Sequence, residues 1–171
     1  MTQWDDAMRL ALAQAAQAET WGDVPVGAVV LDAAGQVISQ AGNRRIQDDD
    51  PLGHAELVAL REASQARRSE TRGNWRLDGC TIVVTLEPCA MCAGAIAQAR
   101  LARLVFGAFD PKAGAIASVL DVLRDPRLPH RPEVISGVLA QDCEAQLKTF
   151  FDARRAGDPL PLFTDRIHIV R

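Results

Sequence analysis

The chain has 171 residues, 48% of them apolar and 24% charged, which fits one domain with a core of its own and is ordinary for a soluble globular protein. Its longest clean apolar stretches, 24–31 and 90–97, fall far short of the roughly 20 residues a bilayer needs, and Asp5 and Asp6 stand where a secretory signal would be basic, so the reading is against a membrane span and against export. A net charge of -3 argues against a surface that coats nucleic acid broadly, and leaves room for a local basic patch.

The predicted elements follow in chain order. Thr2 with Asp5 three residues later reads as a capping box, and Trp4, Met8, Ala11, Leu12 and Ala15 recur at helical spacing until Gly22. Residues 24–32 and 36–43 are β-branched runs around the turn signal Asp32-Ala-Ala-Gly35, so a hairpin is expected. A loop, 48–53, precedes a helix from Ala55 to about Ala66, and the polar stretch 69–78 reads as a connector. Residues 80–86 form a continuous strand-like run, short enough to be buried on both faces. Pro88 breaks it, and 90–99 reads as a small-residue helix. A strand at 104–107, a loop at 110–114, a short apolar helix at 119–123, a strand at 134–139 and a helix marked by Cys143, Leu147, Phe150, Phe151 and Arg154 complete the chain. Strands joined through helices predict a largely parallel sheet with helices on both faces, opened by one antiparallel pair.

The chemistry is carried by His54-Ala55-Glu56 and Pro88-Cys89-Ala90-Met91-Cys92. Each group falls where loop or strand passes into a helix, so the helix N-terminus favours thiolate over thiol. One imidazole and two thiolates make three ligands of a tetrahedral zinc site, and the fourth position stays open for water, the catalytic pattern. Cys89 and Cys92 are three apart and share a helix face. Their two negative charges cancel those of the ion. Glu56, two positions from His54, is close to the metal without ligating it, and can carry a proton from water to a ring nitrogen and then to a leaving amine. Two alternatives stand beside this reading. A structural zinc site would draw a fourth ligand from His130, His168, Cys80 or Cys143, and a thiol oxidoreductase would use Cys89 and Cys92 as a redox pair. Four cysteines are too few for a disulfide scaffold, so reduced thiols in a cytoplasm are expected.

Further segments carry a resemblance. Val24-Pro-Val-Gly-Ala-Val29, Gly42-Asn-Arg44, His54-Ala-Glu-Leu57, Val84-Thr-Leu-Glu-Pro-Cys-Ala-Met-Cys-Ala-Gly94, Val105-Phe-Gly-Ala108 and Phe150-Phe151 stand in the order found in the bacterial tRNA adenosine deaminases of the cytidine-deaminase-like superfamily, which the chain resembles over roughly 4–155. The resemblance implies a three-layer α/β fold, with a five-stranded mixed sheet and helices on both faces. It implies a cytoplasmic homodimer whose interface helps build each active site, and one zinc per subunit on His54, Cys89 and Cys92. The reaction it implies is hydrolytic conversion of adenosine to inosine at the wobble position of a tRNA anticodon loop, with Glu56 as proton shuttle.

By the same resemblance Asn43 hydrogen-bonds the flipped purine and Asp110 lies in a loop that contacts the nucleotide backbone. The alternative, read from the residues alone, is that Asn43 is a turn residue ending a strand and Asp110 a helix or turn cap. Seventeen of the 19 basic residues are Arg, which suits phosphate forks and base stacking. Arg154 and Arg155 offer a basic pair where the family's final helix contacts RNA, or else a solvated helix end. The nearest rival activity is deamination of guanine or cytosine, as free base or nucleoside, by the same zinc chemistry. Two departures stand out. Gly53 precedes His54 where relatives more often have Ala, and the ending 158–171 lacks their polar, basic character, so a deaminase domain of 1–157 followed by a tail of 158–171 is expected.

Overall fold

The hairpin forms where the turn signal lies: β1 (Gly27–Leu31) pairs antiparallel with β2 (Val37–Gly42). Asp32 Oδ1 accepts the amides of Ala34 and Gln36, both at 2.9 Å, and Gly35 supplies the positive φ that closes the turn. The computed structural model to which these elements belong describes residues 2–68 and 75–157. The expected tail, 158–171, with His168, lies outside the described residues, as does 69–74 of the connector.

The remaining elements are α1 (Asp5–Thr20), α2 (Ala55–Ala66), β3 (Thr81–Leu86), α3 (Ala90–Gln98), β4 (Arg103–Ala108), β5 (Glu133–Ser136) and α4 (Ala140–Gly157). Five strands line up as β2-β1-β3-β4-β5, the mixed sheet the resemblance implies. Its directions correct one expectation. β1 runs antiparallel to β3 as well as to β2, so antiparallel pairing is not confined to the hairpin: β1 alone is reversed, and the parallel pairs are β3 with β4 and β4 with β5. The cause is the crossover through α2. It returns β3 in the direction of β2, as a crossover must, but places it beyond β1, which therefore opposes a neighbour on each side.

Alternation along the strands sorts the core into two clusters. Ala28, Val30, Ile82, Val84, Leu104 and Phe106 pack with residues of α2 and α3. Val29, Leu31, Val83 and Val105 pack with Met8 and Ala11 of α1 and Cys143 of α4. β1 is buried along its whole length because helices cover both faces. The helix α1 lies unusually close to the hairpin. Gly27 and Gly42 are register partners, and a Cβ on either would come within 2.0 Å or 2.5 Å of a carbonyl oxygen of α1.

Two further expectations are corrected. Residues 119–123 do not form a helix; their backbone bonds are long loops, Val119 and Leu120 N–H to Gly114 O and Val122 N–H to Ala115 O. The amides just before them are claimed by a side chain from β3's end, described below. The capping box at the start of α1 is half made. The Asp5 carboxylate accepts the Thr2 amide at 3.0 Å and the Thr2 hydroxyl, but the helix begins at Asp5 with Trp4 in the N-cap position. Among the described residues, no helix is long and apolar enough to cross a membrane.

Candidate metal centre

His54 is the last extended residue before α2, at φ -75° and ψ 144°, and Cys89 holds the same place before α3, at φ -71° and ψ 174°. Cys92 is in the first turn of α3. These starts bring residues 35 and 38 positions apart together: His54 Nδ1 lies 3.8 Å from Cys89 Sγ and 3.6 Å from Cys92 Sγ. Tetrahedral zinc, with Zn–S near 2.3 Å and Zn–N near 2.0–2.1 Å, requires N···S separations of about 3.6 Å. Both N···S separations match that geometry. Among the described residues no further His, Cys, Asp or Glu joins the group, whose ligand atoms all lie within 4.8 Å of one another. Cys80 and Cys143 are buried core thiols elsewhere, and His130 faces the Leu101 carbonyl, so none of them supplies the fourth ligand a structural site needs.

The electrostatics favour a cation. The hydrogen bond from Cys92, reinforced by His54, pulls the Cys89 thiol down to about 3. Its hydrogen bond to Cys89, followed by burial, pushes the Cys92 thiol up. The pair thus shares one proton, which a divalent ion would displace. His54 is raised, first by its hydrogen bond to Cys89.

Glu56, 4% exposed, lies in the first turn of α2 and lines a cavity of about 160 Å3 together with His54, Cys89 and Asn43. Its Oε2 has no protein partner, and burial drives its carboxyl upward against the pull of His54 and Cys92. A buried carboxylate oxygen without a donor is costly unless chemistry uses it.

Asn43 and Asp110 line the same cavity, and both also do local work. Asn43 Oδ1 accepts the Ala55 amide at 2.9 Å and Nδ2 donates to Val24 O at 3.1 Å, so this side chain satisfies the first amide of α2. His54, the N-cap, makes no side-chain cap itself. Asp110 Oδ1 accepts the amides of Lys112 and Ala113 at 2.9 Å and 3.2 Å, a turn cap at the cavity wall. Arg154 lies with its guanidinium 4.5 Å from the Phe150 ring and donates to Gly22 O, while Arg155 pairs with Asp152. Phe150, Phe151, Arg154 and Ile46 line a second cavity of about 520 Å3, which shares Val24 and Arg45 with the first.

Sequence reasoning missed Glu87. It is 2% exposed, and its carboxylate accepts the amides of Asp110, Ile116, Ala117 and Ser118 and the Ser118 hydroxyl. Burial works to raise its pKa, but the Ser118 hydroxyl and the amides outweigh it and the net shift is downward. The available signal was a carboxylate placed directly after an apolar buried strand, where a charge must find donors.

Comparison with known proteins agrees with this geometry. Residues 1–108 match the family model of the cytidine and deoxycytidylate deaminase zinc-binding region. The chain is 43% identical over 151 residues to the tRNA-specific adenosine deaminase of Bacillus subtilis, covering 88% of this chain and 90% of that one. It is 48% identical over 148 residues to the tRNA-specific adenosine deaminase of Haemophilus influenzae, covering 86% and 83%. A structure solved in a study of A-to-I editing by tRNA:A34 deaminases at the wobble position of transfer RNA superposes with a TM-score of 0.75 at 41% identity, covering 81% of this chain and 96% of that one. Identity at this level across most of both chains leaves one assignment: the chain belongs to the cytidine and deoxycytidylate deaminase family, on the branch of the tRNA-specific adenosine deaminases.

Proposed function

We propose that the chain is a hydrolytic deaminase that converts adenosine to inosine at the wobble position of a tRNA anticodon loop. The observation that carries this reading is Glu56, its Oε2 unpartnered, in the wall of a cavity that also holds the His54–Cys89–Cys92 donor set. One zinc per chain on those donors would supply a Lewis acid that lowers the pKa of water from ~15.7 toward ~7. Glu56 takes one proton from the attacking water and delivers it to N1 of the adenine ring as the water oxygen bonds to C6; it then carries the remaining proton of that oxygen to the amino group, which leaves as its bond to C6 breaks. Adenosine and water become inosine and ammonia. Asn43 keeps the first amide of α2 in place and offers the remaining hydrogen of Nδ2 to the purine.

The family relationship supports RNA over a free base, and so does the shape of the site. The first cavity meets the second, larger one at Val24 and Arg45, where aromatic and guanidinium groups suit the neighbours of an extruded nucleotide. Flipping the base costs a few kcal/mol, and less in an unpaired loop than in a duplex. The test is mass spectrometry of anticodon stem-loops of varied sequence, and of guanine and cytosine, after incubation with the protein. Inosine at a wobble adenosine is expected. Deamination of the free bases with none of the stem-loops would overturn the reading.

The working form is a cytoplasmic homodimer, with the catalytic domain spanning 1–157. Exposed Leu52, Val119 and Leu120, and open space around Gly94 on α3, support a partner surface within this chain. Sedimentation should give twice the mass of the chain; a monomer at micromolar concentration would remove the dimer.

A further inference from the structure

We propose that Glu87 is a positioning residue: it registers the loop 110–118 against the metal-bearing end of β3 and so sets the affinity for substrate. The inference rests on the deaminase reading above and names a residue that this reading does not use.

The loop has no ladder of its own. Among the backbone bonds inside it, Asp110 O accepts the Gly114 amide at 3.0 Å. Its order comes from Glu87. Three successive amides, Ile116, Ala117 and Ser118, converge on Oε1 at 3.0, 2.8 and 2.9 Å. Oε2 takes the Asp110 amide at 3.0 Å and the Ser118 hydroxyl. One carboxylate thereby holds both ends of the loop, with charge-assisted bonds, which are stronger than neutral ones. Gly114 makes room for it. A Cβ there would stand 2.4 Å from Glu87 Cδ and Oε2. The same glycine forms a bridge to Cys89, and the Ala115 amide donates to Pro88 O at 2.8 Å.

The consequence for the site is geometric. Asp110 and Ala113 from this loop line the cavity with His54, Glu56 and Cys89, and Glu87 itself reaches the same wall. His54 and Glu56 belong to the start of α2, and Cys89 and Cys92 to the start of α3, so the helices hold them, with Cys89 alone also bridged to the loop through Gly114. Glu87 therefore governs the wall that meets substrate, while donors and shuttle depend on the helices. Glutamine keeps the shape but presents an amide group toward amides, and loses two acceptor positions.

The test uses the zinc-loaded chain and an anticodon stem-loop, with Glu87→Gln and Ser118→Ala. Glu87→Gln is expected to keep the parent's zinc content, to raise KM about tenfold or more, since small misplacements of substrate-positioning groups are costly, and to change kcat by less than about threefold. Amide exchange at Asp110, Ile116, Ala117 and Ser118 should be slow in the parent and fast in the variant. Ser118→Ala removes one donor and leaves four amides on the carboxylate. It should raise KM about twofold to fourfold, and it carries the test if Glu87→Gln does not fold. Unchanged KM together with unchanged exchange would overturn the proposal, as would loss of zinc and of kcat with KM unaltered. A parent chain inactive on every stem-loop would refute the deaminase reading instead, and the exchange arm alone would then decide whether Glu87 anchors the loop.

Discussion

Glu56→Gln should leave zinc content and unfolding midpoint close to those of the parent and reduce the deamination rate by about 10²–10⁴-fold. Glutamine fills the same volume in the α2 turn but cannot take up and release the proton that hydrolysis moves. The side chain is 4% exposed and its Oε2 bonds to nothing in the protein, so no structural hydrogen bond to that oxygen is lost. KM should change little, because the loss falls on proton transfer in the transition state rather than on substrate binding. Single-turnover measurement of inosine against wild-type chain checks this. A variant retaining more than a tenth of the parental rate would remove Glu56 from the proton path.

Removal of the metal should have an effect of similar size on rate and a further effect on stability. A strong zinc chelator is expected to abolish turnover, and stoichiometric zinc to restore it. His54→Ala and Cys89→Ala should lose both metal and activity without recovery. Without the ion, one proton is shared between Cys89 and Cys92, and the two sulfurs no longer anchor α3 to α2 through His54. A ligand present at 1,000 times its dissociation constant stabilises the folded state by about 4 kcal/mol, which for a chain of this length corresponds to a Tm lower by about 8–16 °C in the apo form. Full activity after verified metal removal would end the zinc mechanism.

These two perturbations, of the proton shuttle and of the metal, differ from Glu87→Gln in the quantity they move. Glu56 should act on kcat, the metal ligands on kcat and stability together, and Glu87 on KM. The three together separate proton transfer, metal retention and shaping of the cavity wall, which share a volume of only about 160 Å3.

Much of this protein was legible in the order of its residues. The starts of α2 and α3 were marked by local pattern, and with them the chemical identity of the donors and the i,i+3 spacing of Cys89 and Cys92. The hairpin was marked by Asp32 and Gly35, because a turn closes through groups within four residues of one another. The local bonding of Asn43 and Asp110 at the cavity wall was only half legible. Their local bonds to Ala55, Val24, Lys112 and Ala113 became evident once the elements were packed.

Tertiary structure decided what local periodicity does not encode. The 3.6–3.8 Å approach of His54 to the two sulfurs depends on two helices starting at neighbouring points of one sheet. The direction of β1 against β3 depends on where a crossover sets down, not on the sequence of either strand. The segment 119–123 had an apolar run suited to a helix, but its amides at Val119, Leu120 and Val122 turn back to the Gly114 and Ala115 carbonyls, the end of a loop held by Glu87. Short-range order follows from which residues are adjacent along the chain. Long-range order follows from the requirement that every buried charge and backbone group find a partner somewhere in space, and that partner can be about 30 residues away.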